Sequence, residues 1–169
     1  IEDLLLLSRL DAQSLKLEME PVQMDLFVLD LTRQMSRLAE NQNITIENSL
    51  LPATVLADPM RLKQVLLIVF DNALRNSPSN NSIQIKSKLQ KSNYLIQVTD
   101  HGQGINDKDI SKVFDRFFKV DNRSSQEYHG SGLGLSIARG LIEAQKGTIN
   151  LSSVPGQGTT VTIALPVTE

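Results

Sequence analysis

The 169-residue chain has no cysteine, no tryptophan and only two histidines. The lack of cysteine excludes disulfides and thiolate metal sites, and two histidines argue against a metal centre built from imidazole ligands. Any bound metal would therefore be a hard ion with oxygen ligands. The net charge of -2 provides no general attraction to a polyanion, so we expect no nucleic-acid partner.

The chain also lacks a long hydrophobic run. The longest wholly apolar stretch, VLLIVF at 65–70, falls far short of the ~20 residues that cross a bilayer. With 40% hydrophobic residues, the chain is long enough to bury one core and to carry a small appendage. We therefore expect one soluble domain and a terminal fragment.

Helical and alternating hydrophobic patterns are mixed along the chain, which favours an α/β two-layer sandwich with a mixed sheet packed against helices. Asp58 and Pro59 supply an N-cap and a first helical position. Leu15, Leu17 and Met19 alternate with polar residues before a proline, which predicts a half-buried strand ended by Pro21. Helices are predicted at 25–43, 58–76, 107–117 and 135–145, and strands at 14–24, 43–50, 53–58, 82–89, 93–100, 147–154 and 159–166.

The first segment, IEDLLLLSRLDAQ, predicts a helix that is too apolar to stand alone in water. It is either a terminal core helix or the end of a longer coiled coil or bundle. The pattern starts without a capping residue, which favours the bundle.

Three glycines, Gly130, Gly132 and Gly134, alternate in YHGSGLGLSIARG directly before a predicted helix. Such a run lets backbone N–H groups converge on an anion at a helix N-terminus, as in phosphate sites. The alternative is a flexible loop. The run matches neither the P-loop nor the dinucleotide fingerprint.

Asp100 ends a predicted strand in VTDHGQGI and is followed by Gly102 and Gly104. A carboxylate at this position can accept a hydrogen bond from the exocyclic amine of adenine, whereas guanine presents a carbonyl oxygen. The alternative is an ordinary Asp-Gly turn.

Asn72 and Arg75 lie three residues apart on the predicted helix at 58–76, so their side chains project close together. An Asn carbonyl can bind magnesium and an Arg can contact phosphates. Asn72 could equally be a solvent-facing polar residue.

In order along the chain, RLKQVLLIVFDNALRNSP, DHGQGI, VFDRFFKV, GSGLGLSIARGLIEAQKG and SSVPGQGTTVTIALP resemble the ATP-binding catalytic domain of sensor histidine kinases, in the superfamily shared with gyrase, Hsp90 and MutL. The resemblance implies the Bergerat ATP-binding fold, with ATP and Mg²⁺ as cofactors and Asn72 as the metal ligand. The implied ATP-binding residues are Asn72, Arg75, Asn76, Asp100, Gly102, Gly104, Ile105, Phe118, Lys119, Gly130, Ser131, Gly132, Leu133, Gly134 and Thr159.

The same resemblance implies a domain boundary and a lid. Residues 1–14 would be the end of a dimerisation and phosphoacceptor helix, and 15–169 the catalytic domain, with a lid over about 116–130. Phe114 would belong to the core and Phe117 would help to fasten the lid together with Phe118. The lid would carry Arg116, Lys119 and Arg123 toward the triphosphate, although these residues could equally form a solvated loop.

Three positions depart from the family pattern. Ile68 stands where related ATPases place a water-activating glutamate, and an aliphatic side chain accepts no proton. Asn76 replaces an aromatic residue that often packs near the adenine, and His129 replaces a frequent glycine.

The resemblance implies a protein histidine kinase that donates the γ-phosphate of Mg-ATP to a histidine upstream, for relay to the receiver domain of a response regulator. Neither His101 nor His129 suits the acceptor role, so no catalytic acceptor is expected within the chain and the fragment alone should lack kinase activity. The parent protein would be a homodimeric, membrane-bound sensor with this domain in the cytoplasm. The alternatives are an ATP-driven clamp, a serine kinase or a nucleotide-free adaptor of the same superfamily.

Overall fold

The computed structural model describes residues 1–120 and 130–168. The helices are α1 (Glu2–Asp11), α2 (Met24–Asn41), α3 (Pro59–Asn76), α4 (Asp107–Ile110) and α5 (Gly134–Ala144). The strands are β1 (Glu20–Gln23), β2 (Ile44–Ser49), β3 (Thr54–Ala57), β4 (Asn81–Gln90), β5 (Asn93–Asp100), β6 (Thr148–Val154) and β7 (Gly158–Pro166).

A five-stranded mixed sheet in the order β2-β4-β5-β7-β6 forms one layer. Strands β2 and β4 are parallel, and the other three pairs are antiparallel. Strands β1 and β3 form a separate two-stranded antiparallel sheet. Helices pack against the large sheet, which confirms the predicted α/β two-layer sandwich.

The core forms where the apolar face of α3 meets the sheet. Along β5 every second residue is buried, so Tyr94, Ile96, Val98 and Asp100 lie on one face of the strand. The first three belong to the hydrophobic core, and Asp100 is the last member of the series. The same alternation along β5 that buries three core residues therefore also places the Asp100 carboxylate at the edge of the core.

Helix α3 begins as the sequence predicts. The Asp58 carboxylate accepts hydrogen bonds from the backbone N–H groups of Arg61 at 3.1 Å and Glu18 at 2.9 Å. The first bond caps the helix and the second fixes the preceding segment against it. Asp58 is 6% exposed, so this cap is part of the interior.

Two predicted elements were wrong in extent. Residues 14–19 form no strand, and β1 (Glu20–Gln23) includes Pro21 rather than ending there. Proline is tolerated because β1 pairs with β3 alone within the described residues, which leaves the other edge of the strand without a ladder to interrupt. The helix predicted at 107–117 is only the short α4, followed by turns.

Helix α1 packs against α5 through one face. Leu6 and Leu7 are buried, and a Cβ added at Gly140 of α5 would lie 2.8 Å from Leu10 Cδ1. The opposite face exposes Ile1 and Leu4. A boundary at residue 14 stays a prediction. Within 1–120 and 130–168, no helix has the length and apolar character needed to span a bilayer.

Candidate functional site

A cavity of about 370 Å³ lies between the C-terminal half of α3 and strands β5, β7 and β6 of the sheet. Its walls are mostly apolar, with Val69 and Ala73 from α3 and Val98 and Val161 from the sheet. Seven residues implied by the sequence line this one space, namely Asn72, Asn76, Asp100, Ile105, Phe118, Lys119 and Thr159. The volume and the lining suit a largely apolar ligand with a few polar groups.

A second cavity of about 180 Å³ adjoins the first. Asn72 lines both cavities, and Phe118 does so as well. The lining of the second cavity otherwise includes Ile68, Asp71, Arg75, Gly130, Ser131, Gly132 and Gly134. Among these residues, the glycine run and Arg75 carry the N–H donors that a polyanion requires, and Asp71 is the carboxylate paired with Arg75.

Asp100 lies at the end of β5 and is 5% exposed. Its Oδ1 atom accepts a hydrogen bond from the Gly102 N–H at 2.9 Å, which fixes the carboxylate relative to the following turn. Asp100 also pairs in register with Thr159 of β7. The Asp100 carboxylate at the floor of the larger cavity is therefore positioned by β5, by the adjoining strand β7 and by the turn that follows β5.

Gly102 and Gly104 lie in the turn after Asp100 and line neither cavity. A Cβ at Gly102 would lie 2.1 Å from the backbone oxygen of Asn76, and a Cβ at Gly104 would lie 2.3 Å from the backbone oxygen of Val154. Gly104 also has φ of +72°. Both positions require glycine because the loop packs directly on the backbone of two other elements.

Sequence reasoning missed two residues beneath the floor. Gly158 has φ of +116°, and a Cβ there would lie 2.0 Å from the backbone oxygen of Asp100. The Ser153 hydroxyl accepts from the Ile105 N–H at 2.8 Å, donates to the Gly158 carbonyl at 2.8 Å and lies 2.8 Å from Thr159 Oγ1. The PGQG turn could have signalled Gly158, but a serine on a half-exposed strand carries no distinguishing pattern.

The polar side chains of α3 differ in their environment. Arg75 forms an ion pair with Asp71, with 2.8 Å between Nε and Oδ2, and both side chains are about half exposed. The Asn76 Oδ1 atom is buried and has no hydrogen-bond partner among the described residues. Asn72 is half-buried between the two cavities.

The glycine run rests on the segment that contains the phenylalanines. Gly132 has φ of +76°, a Cβ there would lie 2.9 Å from the Phe117 backbone, and its carbonyl accepts from the Phe117 N–H at 2.9 Å. Phe117 is 63% exposed and has φ of +64°. Leu133, expected at the nucleotide, is buried in the hydrophobic core and lines neither cavity.

Phe114 packs against the core, and the Arg139 guanidinium lies 5.5 Å from the centre of its ring. Arg116 does not line the second, smaller cavity. Its Nη2 atom instead contacts Asp11 Oδ1 of α1 at 2.6 Å. Arg123, His129 and most of the predicted lid fall within 121–129, outside the described residues.

Comparison with known proteins places this geometry in a family. Residues 57–169 match the family described as histidine kinase-, DNA gyrase B- and HSP90-like ATPases. The chain belongs to this family. Over 163 residues it is 31% identical to the signal transduction histidine-protein kinase ArlS of Staphylococcus aureus strain USA300, a match that covers 96% of the chain and 36% of ArlS. The chain thus spans about a third of that curated relative.

Solved structures of related proteins share the fold. The Acinetobacter baumannii histidine kinase AdeS superposes with a TM-score of 0.81 and 27% identity, over 99% of this chain and 77% of the AdeS chain. Full-length ShkA, solved in complex with AMPPNP, superposes with a TM-score of 0.86 and 26% identity, over 98% of this chain and 35% of the ShkA chain. The fold observed here is therefore that of histidine kinase catalytic domains.

Proposed function

We propose that the chain binds Mg-ATP and is the catalytic domain of a sensor histidine kinase, which donates the γ-phosphate to a histidine outside these 169 residues. The observation that carries this proposal is the pair of adjoining cavities, one apolar with a buried carboxylate and one lined by glycines and an arginine. A purine ring fits the first cavity and phosphates fit the second. The AMPPNP complex of ShkA supports the nucleotide as the ligand.

Each side chain then has a specific role. The Asp100 carboxylate accepts a hydrogen from the exocyclic amine of adenine, which selects adenine over guanine. The glycine run from Gly130 to Gly134 approaches the phosphates with its backbone N–H groups, and Arg75 adds positive charge. Phosphoryl transfer in this arrangement depends on positioning and on charge neutralisation.

The residues present fit a magnesium ion that is held mainly by the nucleotide. The described residues include no cluster of three or more Asp, Glu or His side chains that could hold a metal. Mg²⁺ commonly takes one or two protein oxygens and completes its shell with phosphates and water. The Asn72 carbonyl between the two cavities would supply the protein ligand, and the bound ion would neutralise phosphate charge.

Ile68 argues for the kinase over an ATP-driven clamp. It lines the smaller cavity, and a Cβ added at Gly134 would lie 3.3 Å from its side chain. A side chain without a proton acceptor beside the phosphates cannot activate water by general-base catalysis. We therefore expect slow hydrolysis and transfer to another protein group.

The acceptor and the partners follow from the same proposal. His101 Nδ1 lies 2.9 Å from the backbone oxygen of Ser82 in β4. His101 does not line the second, smaller cavity. The acceptor would lie on a dimerisation bundle, and residues 1–14 would form the end of that bundle. The complete protein would be a homodimeric membrane sensor, and a response-regulator receiver domain would take the phosphoryl group.

Calorimetric titration of the 169-residue chain with ATP and with GTP, in the presence of Mg²⁺, tests the site. We expect binding of ATP and little binding of GTP. Asp100→Asn should weaken ATP binding by about tenfold or more, because it replaces a charged acceptor by a neutral amide. Asp107→Asn is the control, since Asp107 is exposed on α4 and lines neither cavity. Equal ATP affinity in wild type and Asp100→Asn contradicts the proposal.

A further inference from the structure

The hydroxyl of Ser153 on β6 joins two segments that line the larger cavity. Its Oγ atom accepts a hydrogen bond from the Ile105 N–H at 2.8 Å, donates to the Gly158 carbonyl at 2.8 Å and lies 2.8 Å from Thr159 Oγ1. Ile105 and Thr159 both line the larger cavity, whereas Ser153 lines neither of the two cavities. Any influence of Ser153 on a ligand therefore passes through the residues that it holds.

The direction of each hydrogen bond follows from the groups involved. A serine hydroxyl has one hydrogen to donate and two lone pairs that accept. The Gly158 carbonyl can only accept and the Ile105 N–H can only donate, so the single hydroxyl hydrogen goes to Gly158. Thr159 is then the donor in the contact between the two hydroxyls. The hydrogen-bonding capacity of Ser153 is therefore fully used, and the Thr159 hydroxyl is oriented by it.

Ser153 lies in one row with Asp100 across three strands. Ser153 of β6 pairs in register with Thr159 of β7, which pairs in register with Asp100 at the end of β5. The Gly158 backbone packs on Asp100 so closely that a Cβ at Gly158 would lie 2.0 Å from the Asp100 backbone oxygen. Ser153 therefore bonds to both of the β7 residues that adjoin Asp100.

We propose that Ser153 is a positioning residue for the nucleotide, whose hydroxyl keeps Ile105 and Thr159 in a fixed relation to each other and to Asp100. The inference rests on the proposed function and adds to it a residue that does not touch the nucleotide. Without the hydroxyl, the Ile105 N–H and the Gly158 carbonyl lose their partner. Binding must then order the loop after β5, which weakens affinity because the cavity is no longer preformed.

Three substitutions of Ser153 in the 169-residue chain test the role of the hydroxyl, with ATP and ADP dissociation constants measured by calorimetry in the presence of Mg²⁺. Ser153→Ala removes the hydroxyl, Ser153→Thr keeps it on a branched side chain, and Ser153→Val has the shape of threonine without it. Ser153→Ala and Ser153→Val should bind ATP about tenfold more weakly than the wild type, and Ser153→Thr should stay within about threefold of it. Ser152→Ala is the control and should bind as the wild type does, since Ser152 is the exposed neighbour on β6 and lines neither cavity.

Binding is measured well below the thermal unfolding midpoint of each variant, so that a loss of stability alone leaves the affinity unchanged. ATP and ADP should lose affinity by the same factor in Ser153→Ala, because the change lies at the cavity proposed for the base, which the two nucleotides share. A loss confined to ATP overturns the role of Ser153, as does equal ATP affinity in the wild type and folded Ser153→Ala. If Ser153→Ala does not fold, equal affinity in Ser153→Thr and Ser153→Val overturns it. Absence of ATP binding to the wild type contradicts the proposed function itself.

Discussion

Gly104 and Gly156 form a matched pair that tests how tightly the loops next to the larger cavity are packed. Their φ angles are +72° and +79°, so alanine is strained by its backbone to a similar degree at both positions. A Cβ at Gly104 would lie 2.3 Å from the Val154 carbonyl oxygen, whereas a Cβ at Gly156 would meet nothing within 4 Å. With φ matched, the main difference between the two substitutions is the steric contact of the added Cβ.

The expected magnitudes follow from these geometries. Left-handed backbone costs an alanine roughly 1–2 kcal/mol, which is the whole effect expected for Gly156→Ala. Overpacking against backbone adds roughly 1–3 kcal/mol for Gly104→Ala. Each kcal/mol lowers the thermal unfolding midpoint by about 2–4 °C for a chain of this size. The midpoint should therefore fall by roughly 4 °C in Gly156→Ala and by roughly 10 °C in Gly104→Ala.

Thermal unfolding followed by circular dichroism gives the midpoints, and calorimetry gives the ATP affinity. Gly104→Ala should also weaken ATP binding, because it displaces Ile105, whose N–H donates to Ser153 and whose side chain lines the larger cavity. Gly156→Ala should leave binding unchanged. Equal losses of midpoint and affinity in the two variants would refute the close packing of this loop.

Three further predictions concern other parts of the site and core. Asp71→Asn should strengthen ATP binding a fewfold in calorimetry, because the 2.8 Å ion pair that holds Arg75 is lost; weaker binding contradicts this. Burial raises the pKa of the Tyr94 hydroxyl above its ordinary value of 10.0, so the stability that the neutral hydroxyl contributes below pH 10 is lost as the pH rises through the raised pKa. Tyr94→Phe should be near neutral or stabilising at pH 7 in urea unfolding and should flatten this alkaline loss, since the hydroxyl has no well-formed hydrogen bond among the described residues; a clear destabilisation at pH 7 contradicts it. The 169-residue chain should bind ATP without phosphorylating itself, and labelled γ-phosphate on the purified chain would show that the acceptor lies within it.

Part of the lining of the two cavities was predictable from the sequence. Asn72 follows from helical spacing, Asp100 from the end of an alternating strand, and the glycine run from its position before a helix. Each signal is local, because periodicity and capping depend on neighbours within a few residues. The order of the three signals then indicated the family.

The supporting contacts were not predictable, because they join residues far apart in the chain. Ser153 binds the loop after β5, and Arg116 pairs with Asp11 of α1 instead of lining the smaller cavity. Pro21 predicts a strand end, because the sequence does not show that β1 lies at a sheet edge. The turn at Gly102 likewise packs on the backbone oxygen of Asn76, a contact between residues far apart in the chain.

The most direct test of the central claim is a crystal structure of the chain with a non-hydrolysable ATP analogue and Mg²⁺. The adenine should occupy the 370 Å³ cavity with its amine at the Asp100 carboxylate. The phosphates should lie between Asn72 and Gly132. Electron density for the analogue elsewhere, or a purine turned away from Asp100, would contradict the account.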